Sequence, residues 1–191
     1  MMEDIFEIRW HGRGGQGVVT AAKILALAAV MEGKYGVAQP FFGAERRGAP
    51  VMAFNRISNK KIRIKSRVYN PDLVAVVDKT LFGIVNVLQG LKEGGTVVIN
   101  TPDTENLEFS GYTIWYLDAT GIALDLGLKV AGIPLVNMPM LGAVSRASGI
   151  VSLDSVKEAV KDQIRQMIDK NIEAVERGWE NVKIYRGEKD G

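Results

Sequence analysis

Six residues, "GRGGQG" at 12–17, separate a segment with strand periodicity from one with helix composition, and no other feature constrains the chain more. In residues 4–10, Phe6, Ile8 and Trp10 share one face by the period of two. Residues 18–32 are rich in Ala and Leu with almost no helix breakers, and Gly33 ends them. A strand that turns through glycine into a helix is the opening unit of an α/β domain, because parallel strands need a helical crossover between them.

The rest of the chain continues the alternation. A short second strand is predicted at 35–39, stopped by Pro40, and a loop at 41–50. Residues 51–57 and 61–68 alternate around "SNK" and read as a β-hairpin. The apolar run 73–77 suits a strand buried on both faces, with Asp78 at its C-terminal end. A helix at 80–91, strands at 96–100 and 112–117 and a helix at 118–128 follow. A further strand is predicted at 135–137, and a helix begins at 140–147. Ser152 is a good N-cap for a last helical stretch reaching 183, with Leu153, Val156, Val160, Ile164, Met167 and Ile168 as its apolar stripe. The expected fold is therefore a single α/β domain of three layers, Rossmann-like. Its sheet is mostly parallel with one antiparallel hairpin; the body spans about 4–150 and the C-terminal helices about 152–186.

Composition removes several kinds of chemistry. With no cysteine, the chain holds no disulfide, thiolate zinc site, cysteine nucleophile or cysteine-ligated iron–sulfur cluster. One histidine, His11, makes an all-protein transition-metal site improbable, and beside a glycine turn a structural role is expected for it. A formal net charge of +2 gives no ground for nucleic-acid binding. The longest apolar run, near 18–31, is interrupted by Lys23 and falls short of the roughly 20 residues a bilayer needs. No leader-like segment opens the sequence, so a cytoplasmic location is expected.

Two stretches look built for an anion. Gly12, Gly14 and Gly17 fit G-x-G-x-x-G, which lets backbone approach a phosphate at a helix N-terminus, with Arg13, Gly15 and Gln16 completing the turn. A nicotinamide site would also want an acid at the end of the second strand, where "GVAQPFF" has none. A tight packing turn without a ligand remains open. In the loop that follows, Glu45, Arg46 and Arg47 place a carboxylate and two guanidinium groups after two phenylalanines, suiting an anion site or an interface. Six basic residues and no acid lie between Arg56 and Arg67, read as protective charge on a sheet edge.

Taken together, "GRGGQGVVTAAKILALAAVMEGKY", "FFGAERRGAPVMAFNRI", "NPDLVAVVDKTL", "GGTVVINT" and "NMPMLGA" resemble the gamma subunits of 2-oxoacid:ferredoxin oxidoreductases. The form "ERRGAPV" favours the pyruvate and 2-ketoisovalerate branch. The resemblance implies a division of labour. Alpha and beta chains bind thiamine diphosphate, Mg²⁺ and the oxoacid; a delta chain holds the iron–sulfur clusters that feed ferredoxin. The complex turns oxoacid into acyl-coenzyme A, CO2 and reduced ferredoxin. This chain would then have no catalytic residue and no metal of its own, and would be inactive alone. It would buttress the catalytic chains, and the turn and loop would help place the phosphates of coenzyme A. A stand-alone dinucleotide-binding oxidoreductase and a non-enzymatic scaffold module are the alternatives.

Overall fold

The computed structural model describes residues 4–186 apart from 42, 44, 45 and 108. Its sheet has seven strands. Four of them, β1 (Ile5–Arg13), β4 (Leu73–Val76), β5 (Thr96–Asn100) and β6 (Thr113–Leu117), run parallel in that spatial order. β3 (Pro50–Ser58) lies antiparallel beside β1, with β2 (Tyr35–Phe41) antiparallel beyond it. At the opposite edge β9 (Lys183–Tyr185) runs antiparallel to β6. A separate ribbon pairs β7 (Lys129–Val130) with β8 (Ile133–Pro134).

The α-helices lie on one face. α1 (Val18–Met31) and α3 (Asn137–Ser148) pack on the strands. α4 (Leu153–Gln163) and α5 (Ile168–Asn181) pack on those helices, and short α2 (Ala119–Asp125) lies against α3 and α5. Alternation in β1 sends Ile8 and Trp10 into this core, with Leu73, Ala75 and Val98 from neighbouring strands. Alanines 21, 22, 28 and 29 are fully buried and let α1 approach the sheet closely. A buried amide fixes the register: Trp10 Nε1 donates to Asn55 Oδ1 at 2.8 Å, and Asn55 Nδ2 donates to Ala22 O at 2.8 Å. No helix of the described residues is long and apolar enough to cross a membrane.

The second face is covered differently from the expectation. Val74, Val76, Val97 and Ile99 are capped by Leu81, Val87, Leu91 and Leu107. The segment carrying the first three is not the predicted helix at 80–91 but a 3-10 helix (Lys79–Gly83) followed by turns. Leu81, Ile84, Val85, Leu88 and Leu91 do keep a helical spacing, but the side chains buried here are Leu81, Val87 and Leu91, and Gly90 turns with φ 75° against the Tyr69 carbonyl, where a Cβ would collide. The third layer is therefore thin and irregular.

Three other expectations are corrected. The hairpin is formed by β2 and β3 across the 42–49 loop, while 61–68 has no strand structure. A strand at 135–137 gives way to β8 just before it and to α3 from Asn137 onward. The last helical stretch is two helices: Ile164 is extended and Met167 adopts φ 51°, so the stripe turns a corner, and Lys183 belongs to an edge strand.

Candidate functional site

The glycine turn sits at the C-terminal end of β1, where open α/β sheets place ligand crevices. Gly17 is the N-cap of α1 at φ 78°, a left-handed conformation costly for a side chain, and a Cβ there would strike the Asn137 amide. Asn137 Nδ2 donates to Gly17 O at 3.3 Å, tying the start of α3 to the turn. Gly14 matters through contact: its Cβ would lie 2.8 Å from the Arg46 carbonyl oxygen. Gly14 N donates to Ala49 O at 2.9 Å and Gly48 N to Gly14 O at 3.2 Å, so the turn and the arginine loop are fastened backbone to backbone.

Arg13 and Gln16 fasten the turn from below. Gln16 Oε1 accepts from Arg13 N at 2.6 Å, and Gln16 Nε2 donates to Asp78 Oδ2 at 3.0 Å. The Arg13 guanidinium donates to Asp78 Oδ2 (3.2 Å), Gly48 O (3.0 Å) and Thr80 Oγ1 (2.8 Å). Burial works to raise the Asp78 pKa. Hydrogen bonds from Thr80 and Gln16 and the Arg13 charge outweigh it and hold the carboxyl below its ordinary value. Asp78 also caps the 3-10 helix through Thr80 N. Arg13 therefore pairs its charge with Asp78 and ties the turn to residues 48 and 80, while also bordering the cleft above.

Above this frame lies a cleft of about 620 Å³. Gly14, Gly15 and Gly17 form one wall with the first turn of α1, and Arg46 and Arg47 form another. The apolar remainder includes Val19, Val51, Val130 and Ile133. The N–H groups of Val18, Val19 and Thr20 have no acceptor within the helix, and no side chain caps them. Arg47 donates to Ala131 O at 3.3 Å, and among the described residues Arg46 pairs with no carboxylate. Helix N–H groups, two guanidiniums and an apolar flank suit an anion with an apolar extension. The structure thus brings Arg13, Gly14, Gly15 and Gly17 to one cleft with Arg46 and Arg47, and puts Gly12 and Gln16 in the support beneath it. Glu45 lies outside the described residues.

Sequence reasoning missed Asn137 and the β7–β8 ribbon. A signal for the ribbon exists: Ala131-Gly132 is a two-residue turn with φ 49° and 79°, between Val130 and Ile133. The end of β2, Gln39 to Phe41, carries no acid for a ribose, as the sequence indicated.

Residues 7–181 match the family described as pyruvate ferredoxin/flavodoxin oxidoreductase. The chain is 50% identical over 187 residues to the pyruvate/ketoisovalerate oxidoreductases common subunit gamma of Thermococcus litoralis, covering 95% of this chain and 99% of that one. It is 55% identical over 184 residues to pyruvate synthase subunit PorC of Methanocaldococcus jannaschii, again covering 95% and 99%. The crystal structure of the pyruvate oxidoreductase subunit PORC of Thermotoga maritima superposes with a TM-score of 0.80 at 41% identity, covering 94% of this chain and 98% of that one.

Proposed function

Because this chain belongs to the pyruvate ferredoxin/flavodoxin oxidoreductase family, we propose that it is the gamma subunit of a multi-subunit 2-oxoacid:ferredoxin oxidoreductase, with pyruvate as the oxoacid. Alpha and beta chains carry thiamine diphosphate and Mg²⁺, a delta chain carries the iron–sulfur clusters, and ferredoxin takes the electrons. The absence of cysteine suits a chain outside the electron path. Its own part is to dock on the catalytic chains and help seat coenzyme A, the acyl acceptor.

The seating role rests on one observation, the cleft that unites the α1 N-terminus with Arg46 and Arg47. Free N–H groups and the helix dipole favour a phosphate. The two guanidiniums add charge-assisted donors, and the flank of Val19, Val51 and Ile133 accepts an apolar portion of the same molecule. Gln16 and Asp78 hold the donors in place from outside the cleft, and Arg13, held by Asp78, borders it.

The test is steady-state kinetics of the assembled enzyme carrying Arg46→Ala and Arg47→Ala together. Loss of about 1.4 kcal/mol of uniform binding raises the KM for coenzyme A about tenfold with kcat unchanged. The KM for the oxoacid and the subunit stoichiometry stay as they were. An unchanged KM for coenzyme A refutes the seating role. Tight nicotinamide or flavin binding by the isolated chain would instead favour a stand-alone oxidoreductase.

A further inference from the structure

On the sheet face away from the α-helices, a cavity of about 520 Å³ opens above β1. It shares only Phe41 and Val51 with the cleft at the glycine turn. Its walls are mostly apolar, with Met52, Phe54, Leu81 and Val85; Asn70 and Asn86 stand at its edge, and two polar side chains of β1, Arg9 and His11, line it. They are 7% and 4% exposed.

Arg9 is unusual within this fold. Its Nε donates to His11 Nε2 at 2.8 Å, and its Nη2 donates to Val87 O at 2.9 Å and Gln89 O at 2.6 Å. No carboxylate pairs with it among the described residues. Arg56, on the neighbouring strand and 3% exposed, shows the alternative: its Nε donates to Glu7 Oε1 at 2.8 Å and its Nη1 to Ser66 O at 2.6 Å. A buried cation without a counter-charge is costly, and an anion in contact with it relieves that cost.

The unused donors face the same space. Among the described residues every fully buried side-chain nitrogen and oxygen has a hydrogen-bond partner. Among the described residues Arg9 Nη1 and His11 Nδ1 have none, so both retain access to open space there, and the open space these two side chains border is this cavity. Because His11 Nε2 accepts from Arg9, the neutral ring carries its proton on Nδ1 and offers a donor there. Also lining the cavity, Arg67 stacks over Phe41 and Tyr69, with its guanidinium carbon 5.1 and 5.2 Å from the ring centroids, and has no acidic partner among the described residues.

We infer that this cavity binds a monocarboxylate with an apolar body, its carboxylate held by Arg9 Nη1 and His11 Nδ1–H and its body against Phe54, Leu81 and Val85. Few donors in an apolar chamber select one charged end, unlike the phosphates suited to the α1 cleft. The volume falls within the roughly 300–1,000 Å³ of small-molecule sites. A free small acid and a carboxyl group from a neighbouring chain share this chemistry.

The probe is phenylacetate titrated into the full chain, followed by the ¹⁵N shift of His11 Nδ1, which one histidine makes unambiguous. Saturable binding that moves this resonance is expected, with phenylacetamide at least tenfold weaker. Arg67→Ala weakens phenylacetate several-fold without disturbing the buried pair, and Arg9→Met abolishes binding. A second titration uses the assembled complex. Binding there too identifies the occupant as a free acid; a site already closed there identifies it as a carboxyl of a neighbouring subunit. No saturable shift in the isolated chain, or an amide that binds as tightly as the acid, overturns the inference. Since the first titration needs no other subunit, its result is independent of the oxidoreductase reading.

Discussion

Lowering the pH from 7 to 5 is expected to cost the fold about 2 kcal/mol, with His11 as the group responsible. Burial, and then the adjacent Arg9 charge, push its pKa from 6.5 down to about 3. Unfolded, the imidazole takes up a proton near pH 6.5; folded, it does so only near pH 3. Between those values the unfolded chain binds more protons than the folded one, so stability falls as pH falls. Other acid-sensitive groups act later. Burial tends to raise the Glu32 pKa, but hydrogen bonds from Ser152, Lys34 and Ser155 outweigh it and hold the carboxyl at about 2. Asp78 is likewise held low. Their contributions are present above the ordinary carboxyl range and are lost only as pH falls from about 4.5 toward their folded values. Chemical denaturation at pH 7, 6 and 5 should therefore show a slope that His11→Gln removes, since the amide oxygen still accepts from Arg9 Nε but does not titrate. A variant as pH-sensitive as the parent would mean that the imidazole is not the group excluded from protonation.

How far the sequence revealed the fold depended on what kind of signal each segment carried. β1, the glycine turn and α1 were readable because period two, glycine and an alanine-rich run are local signals that tertiary packing did not contradict. Leu73–Val76 and the Val97–Ile99 centre of β5 were readable because segments buried on both faces of a sheet are continuous apolar runs. The 61–68 segment misled because alternation reports which side chains share a face and never which strand is the partner. β2 took the place beside β3, and the cations of 61–67 lie on coil. Charge protecting a sheet edge therefore does not account for them. The corner at Met167 left no trace, since neither Gly nor Pro marks it.

The candidate site was half readable. A strand–glycine–helix junction announces its anion geometry locally, so Gly14, Gly15 and Gly17 could be named in advance. Their meeting with Arg46 and Arg47 depends on the hydrogen bonds between Gly14 and residues 48–49, which no spacing encodes. Arg13 was half readable. It borders the cleft, as a cation in a phosphate-type turn suggests, but no spacing shows that its guanidinium also holds the Asp78 carboxylate, 65 residues away. Arg9 and His11 carried an unread signal: two polar residues alternating with Ile8 and Trp10 on an interior strand point together to the other face.

Gly178→Ala should destabilise the protein by about 3 kcal/mol, opposite in sign to the usual effect of that change inside a helix. Gly178 lies within α5 and does not have a positive φ, so on propensity alone alanine would gain about 1 kcal/mol. Packing reverses the sign. A Cβ at Gly178 meets the backbone of Pro139, and one at Gly142 meets the backbone of Val175 and Trp179, so the two glycines let α3 and α5 touch main chain to main chain. Backbone atoms cannot swing aside as a flexible side chain can, and the helices must separate. For a domain of this size the loss lowers Tm by roughly 10 °C. Gly83→Ala is the control: its Cβ meets nothing within 4 Å, and a neutral or slightly stabilising effect is expected. Combining Gly142→Ala with Gly178→Ala should cost less than the sum, because one separation relieves both collisions. The effect also reaches the cleft. α3 begins at Asn137, whose amide holds Gly17, so displacing α3 loosens the N-terminus of α1. Gly178→Ala should therefore raise the KM for coenzyme A in assembled enzyme even where the fold survives, whereas Gly83→Ala should not. A stabilised Gly178→Ala protein would show that the α3–α5 seam is looser than direct backbone contact requires.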